Sequence, residues 1–166
     1  MRRSIIAVIA SAILLLATPA LGASKEDREN CNQTANHDLK IDGCTRVLND
    51  REEPQAVHAI AYYLRGLAWQ TKRDLDRAIA DFDQVIRLDP ENAAAHSNRG
   101  IAWYEKRDFD RAIADFDAAL KIHPKLERAL WGRGLAKIRK GDSAGGNADF
   151  AAAHKIRYGI ADESAK

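Results

Sequence analysis

The chain is poor in the features that mark catalytic and nucleic-acid-binding proteins. Among its 166 residues are only two cysteines, Cys31 and Cys44, with no CxxC spacing, so dithiol redox catalysis is not expected. Five histidines, His37, His58, His96, His123 and His154, lie scattered and form neither an HExxH motif nor a Cys/His metal spacing. GxSxG, Walker and GxGxxG patterns are missing. Formal net charge is only +2, and with Arg2 and Arg3 set aside basic and acidic residues balance at 24 each. That balance excludes the basic stripe of a nucleic-acid protein and polybasic attraction to anionic lipid. We therefore expect no catalytic residues, no metal and no cofactor, and a protein that is not an enzyme.

Long hydrophobic runs are also lacking. The apolar stretch at residues 5–16 is shorter than the ~20 residues that span a bilayer. It follows Arg2 and Arg3 and precedes the small-residue segment Thr18-Pro19-Ala20-Leu21-Gly22-Ala23. This order reads as a signal peptide over 1–23, cut after Gly22 or Ala23; the alternative is an uncleaved anchor. No cysteine follows closely enough for a lipoprotein anchor. The expected location is periplasmic or secreted, with no stable membrane insertion after cleavage. An exported chain with two cysteines permits one disulfide. Asn36-His37-Asp38 is a turn between two short helices, and Cys31 and Cys44 lie at similar distances on either side. A bridge there would add roughly 3 kcal/mol. The alternative is two buried free thiols.

What the chain does have is an internal repeat. Residues 74–83 and 108–117 share nine of ten identities at an offset of 34. Arg65-Gly66, Arg99-Gly100 and Arg133-Gly134 keep the same phase, as do Ala68, Ala102 and Ala136. So do Asp81-Phe82, Asp115-Phe116 and Asp149-Phe150, and Pro90 and Pro124 close two units. Gly at a fixed mid-helix phase costs ~1 kcal/mol against Ala each time, which implies close helix approach. Ala78, Ala112 and Ala119 leave room for a neighbour, and Phe82 and Phe116 fill the space between helices. Asp74, Asp108 and Asp142 suit helix N-termini. Proline stops each second helix.

The pattern resembles the tetratricopeptide repeat family. In unit one the family signature falls on Tyr62, Gly66, Trp69, Ala78, Phe82 and Pro90. In unit two it falls on Gly100, Trp103, Ala112, Phe116, Ala119 and Pro124, with His96 in place of a large first residue. In unit three it falls on Leu130, Gly134, Phe150 and Ala153, with Gly146 for the usual Ala and Tyr158 for the usual Pro. The resemblance implies an all-α, right-handed α-solenoid of antiparallel helix pairs. We expect three repeats over 57–158 (59–92, 93–126 and 127–158), a degenerate helical hairpin at 24–56 as an N-terminal cap, and a tail at 159–166. Tyr158 and Ile160 either fold back over Phe150 and Ile156 or leave the last face open for a partner or a second copy of the chain.

The resemblance further implies a concave groove lined by the first helix of each unit. Carried over by position, its residues are Ile60, Tyr63, Leu67 and Gln70, then Ala94, Ser97, Ile101 and Tyr104, then Arg128, Trp131, Leu135 and Ile138, with Asn98 beside Ser97. The set is apolar and aromatic, as interaction surfaces are. The expected partner is another protein or peptide, with Arg128 placed for a ligand carboxylate. The alternative is that several of these residues are inter-helix core. A carboxylate clamp for acidic chaperone tails is not supported: Tyr63 and Gly132 stand where basic residues are needed, and Leu67 where Asn is needed. The in-phase Arg65, Arg99 and Arg133 read as a structural ladder with Asp81, Asp115 and Asp149, rather than as an anion site. Competing functions are a structural homo-oligomer and a non-catalytic accessory subunit of a cell-envelope enzyme complex.

Overall fold

The computed structural model describes residues 22–33 and 35–159. Residues 1–21 of the expected signal, and Ile160 with the rest of the tail, lie outside the described residues. Eight helices are found among the described residues: α1 (Lys25–Gln33), α2 (His37–Asn49), α3 (Gln55–Thr71), α4 (Leu75–Leu88), α5 (Ala93–Glu105), α6 (Phe109–Ile122), α7 (Glu127–Arg139) and α8 (Ser143–Tyr158). None of them is long and apolar enough to cross a membrane.

Local chemistry places many of the helix ends. The Asp74, Asp108 and Asp142 carboxylates accept the backbone N–H of Arg77, Arg111 and Gly145, and so satisfy donors that the first turn leaves unpaired. Asn36 and Asn92 do the same for α2 and α5. Helices α4 and α6 end just before Asp89-Pro90 and His123-Pro124, where proline forbids another turn. Between α3 and α4 the chain turns through Arg73, and between α5 and α6 through Arg107. Both have left-handed backbone, with φ of 64° and 65°. The equivalent place after α7 is Gly141, the residue that suits such a φ.

The helices pair in sequence, α1 with α2, α3 with α4, α5 with α6 and α7 with α8, and each pair packs on the next. The fold is a right-handed α-solenoid. Inside each repeat one phenylalanine occupies the gap that a glycine leaves. A Cβ on Gly66 would come within 2.9 Å of the Phe82 ring, and one on Gly134 within 2.7 Å of Phe150. Phe116 is wedged between two glycines, Gly100 of its own repeat and Gly132 of the next, and is fully buried. Around it lie Ala112, Ala119, Ala129 and Leu130. At the N-terminal end Gly43 brings α2 against the backbone of α1, and Cys31 and Cys44 form a disulfide there. Both cysteines are buried, with Val47 and Ala61 beside them.

A second set of forces holds the repeats in register. Arg65 grips Asp81 with two hydrogen bonds of 2.9 and 2.7 Å, and Arg99 grips Asp115 at 2.9 and 2.6 Å. Arg133 grips Asp149 at 2.9 and 2.5 Å. The third donor of each guanidinium reaches back one unit, to Thr45, Asp83 and Asp117 respectively. The arginines are thus consumed within the scaffold, and the ladder reading holds over the anion-site reading. Burial pushes the Asp81 carboxyl up, and Arg65 offsets only part of this. Burial also acts on Asp149, but hydrogen bonds from Arg133 and Lys137 outweigh it and hold that carboxyl below its ordinary range.

Candidate functional site

The curvature of the array defines its inner face. Helix α5 touches both α3 and α7, whereas α4, α6 and α8 do not touch one another. The first helix of each repeat therefore lies on the inside of the bend, and its outward-facing stripe lines a groove. Within that stripe Ile60, Trp131 and Ile138 are exposed at 54%, 48% and 37%. Ala94 and Arg128 are also exposed, while Tyr63, Leu67, Gln70, Ile101, Tyr104 and Leu135 are half-buried.

The aromatic members are propped from beneath. The Tyr63 ring tilts over Phe82 with centroids 6.1 Å apart, Tyr104 over Phe109 at 5.6 Å, and Trp131 over Phe150 at 4.5 Å. Each ring shows one face inward and rests the other on the second helix of its repeat. Such rings are pre-positioned and would lose little freedom on meeting a ligand.

Two expected groove residues are placed otherwise. Ser97 and Asn98 are 2% and 1% exposed. Helix α5 has a neighbour on both sides, α3 and α7, and these close over its middle turn. Asn98 instead donates from Nδ2 to the Tyr63 hydroxyl at 2.9 Å. It orients an inner ring rather than meeting a ligand itself. The sealing is local, since Ile60 and Trp131 on either side remain open.

Two hollows mark the groove. The first, about 680 Å³, is bounded by Ala59, Ile60, Tyr63, Leu88, Asn92 and Ala94 among others. The second, about 490 Å³, lies at the same register two repeats on and is bounded by Leu126, Glu127, Arg128, Trp131 and Arg157. Both draw on the end of a second helix as well as on a first helix. That lip, Leu88 and Asp89 in the first hollow and Arg157 in the second, was not anticipated, although Asp89 and Arg157 stand two 34-residue offsets apart. Arg157 is paired with Glu127, so Arg128 carries the unpaired positive charge of the second hollow.

At the C-terminal end Tyr158 does not fold back over Phe150. It is 63% exposed and its ring lies 4.4 Å from that of His154. Among the described residues no group of His, Cys, Asp and Glu is placed to hold a metal ion.

Residues 63–127 match the family model of the tetratricopeptide repeat. The helical array superposes on a crystal structure of MamA with a TM-score of 0.67 at 23% identity, covering 74% of this chain and 70% of that one. A MamA double mutant gives a TM-score of 0.71 at 19% identity, covering 84% and 80%. These two likenesses are of fold. The TPR2B domain of yeast Sti1, solved in complex with an Hsp70 peptide, is 28% identical over 61% of this chain and 82% of its own, with a TM-score of 0.60. A mouse FK506-binding protein-like protein is 42% identical over 57 residues, which is 34% of this chain. The chain spans only 15% of that relative's length.

Proposed function

We propose that this chain is a non-catalytic protein-interaction module of the bacterial periplasm, and that it holds a peptide or helix of a partner protein in the inner groove. The observation that carries the reading is the row of open apolar side chains on the inner face, Ile60, Trp131 and Ile138, beside hollows of about 680 and 490 Å³. Exposed apolar surface in a concave setting is costly to keep in water unless something covers it. The yeast Sti1 neighbour, solved with a peptide, supports a peptide as the class of ligand. The groove differs from an acidic-tail clamp, because Asn98 is buried and committed to Tyr63.

The compartment is supported by two features. The first 23 residues have the order of an export signal, and the Cys31–Cys44 disulfide suits an oxidising environment. Self-association through α8 is a second reading, favoured by the exposure of Tyr158; a concentration-independent monomer on sizing would remove it.

The groove is tested by the pair Ile60→Asp and Trp131→Ala. Ile60 is 54% and Trp131 48% exposed, but Trp131 also rests on Phe150, so the double variant should lose about 2 kcal/mol and stay folded, which circular dichroism checks. Capture of the partner from envelope extract should fall at least tenfold. Unchanged capture by the folded double variant would end the groove reading. A fusion to a reporter enzyme active only outside the cytoplasm tests the compartment.

A further inference from the structure

We infer that the chain is cut between Gly22 and Ala23, and that the new α-ammonium of Ala23 then forms an ion pair with the Asp50 carboxylate that anchors the mature N-terminus. The inference rests on the export reading above and narrows it to one bond. The sequence leaves two candidate cuts, after Gly22 or after Ala23. A cut after Gly22 puts small residues, Ala20 and Gly22, at the third and first places before the bond. A cut after Ala23 puts Leu21 at the third place before the bond, against the small-residue pattern.

The structure adds an independent argument. The Ala23 backbone nitrogen lies 2.8 Å from Asp50 Oδ2. Asp50 is already oriented: its other oxygen accepts the Glu52 N–H at 3.0 Å, and its own N–H closes the end of α2. Ala23 is buried and packs with Cys31, Cys44, Val47 and Ala61, whereas Gly22 is exposed. Ser24 caps α1 through reciprocal bonds with Asp27. Ala23 thus sits at the head of α1 and inside the cluster around the disulfide. Losing Ala23 would open the cluster around the disulfide. A side chain on Gly22 would collide with Asp50, its Cβ falling 2.7 Å from Oδ2.

The chemistry is a hydrolysis by an endopeptidase of the export route. Water adds its oxygen to the Gly22 carbonyl carbon, the Gly22–Ala23 C–N bond breaks, and Gly22 leaves as a carboxylate. The Ala23 nitrogen departs as an amine and takes up a proton near neutral pH. A neutral amide donor beside the Asp50 carboxylate becomes a cation, and a hydrogen bond becomes an ion pair. Other charges around the pair are Asp27, Arg46, Arg51 and Glu52 on the same hollow, with Arg28 and His58 acting on Asp50. The Asp50 carboxyl is held below its ordinary range by the Glu52 and Ala23 amides.

The amine's folded pKa should accordingly exceed the ordinary α-amino value of about 8. Its contribution to stability is then complete below about pH 8 and is lost as pH rises through the folded value.

The experiment has two arms on the full-length gene expressed in its own cell type. In the first, the N-terminus of the envelope-fraction protein is read by mass spectrometry. A chain starting at Ala23 is expected. A chain starting at Ser24 or elsewhere overturns the inference while leaving export intact, and a chain retaining Met1 in the cytoplasm overturns both. In the second, the pH dependence of α-amine acylation is measured on the mature protein. The amine should titrate about one unit above the ordinary value, and Asp50→Asn should bring it back. Identical titration of wild type and Asp50→Asn, with both folded by circular dichroism, overturns the ion pair.

Discussion

Replacing Phe116 with alanine should cost far more stability than the same change at Phe150. The two residues hold the same place in successive repeats. Phe116 is fully buried between Gly100 of its own repeat and Gly132 of the next. A buried phenylalanine covers about 150–250 Å², and at ~25 cal/mol per Å² its removal costs about 4–6 kcal/mol. Measured Phe→Ala changes of this kind run at about 3–5 kcal/mol. Phe150 has its own glycine, Gly134, but no following helix among the described residues, and it is only partly buried. Losing one of two flanking surfaces suggests roughly half the cost, about 2 kcal/mol. Equilibrium urea denaturation of the oxidised protein measures both, with equal slopes required before midpoints are compared. Equal losses at the two sites would refute the view that each phenylalanine bonds one repeat to the next.

Arg107 has φ of 65° and no partner recorded for its side chain, so Arg107→Gly removes a left-handed strain of about 1–2 kcal/mol at the cost of a freer unfolded chain, and should raise stability by about 1 kcal/mol in the same urea assay. Thermal melts between pH 7 and 3 should show stability falling once pH drops below about 4, the ordinary carboxylate range. The carboxyls of Asp74 and Asp108 are held low, first by the Arg77 and Arg111 side chains and then by the backbone N–H of the same residues, and Asp149 is held low by Arg133 and Lys137 against its burial. Acids with depressed folded values stabilise above their unfolded pKa, and that stabilisation disappears as pH falls through the folded value. Asp81 is raised and works in the opposite sense, so Asp149→Asn should flatten the acid limb; a melting temperature that rises between pH 4 and 3 would contradict this balance.

The helices and ladder were legible because they repeat. Asp74, Asp108 and Asp142 sit at one phase, and so do the arginine and aspartate rows, so the same pattern stands three times within one chain. The groove was less legible because it depends on curvature, which no single position encodes. Ser97 and Asn98 occupy inward phases but are sealed because α3 and α7 close over α5, and only the mutual packing of three helices decides that. The lip formed by Leu88 in one hollow and Arg157 in the other was readable in principle, but the end of a second helix looks like ordinary core and surface until the bend turns it inward. Contacts between distant segments that occur once, such as Ala23 with Asp50, have no periodic echo and were invisible before the fold was known.

Helix α1 should depend on the disulfide far more than the rest of the solenoid does. It has nine residues, fewer than an isolated helix needs in water, and Cys31 is its only apolar side chain. Its other ties to the body include Arg46–Asp27 and Arg28–Glu53, in which each arginine is substantially exposed; such pairs contribute about 1 kcal/mol or less. The cysteines are 13 residues apart, and closing a loop of that size is worth about 3 kcal/mol. Reduction should therefore release α1 while leaving α3 to α8 folded, because the later repeats have their own phenylalanine wedges and arginine ladder. Hydrogen exchange with and without reductant distinguishes the outcomes. Amides of Lys25–Gln33 should lose protection on reduction, and those of α5 and α6 should keep theirs. Ile60 should respond as well, since it borders a hollow of about 200 Å³ that it shares with Arg28, Cys31 and Val57, so the groove should weaken at that end under reducing conditions. Retained protection in α1, or loss of protection across all repeats at once, would show that the N-terminal hairpin is not a separately stapled cap.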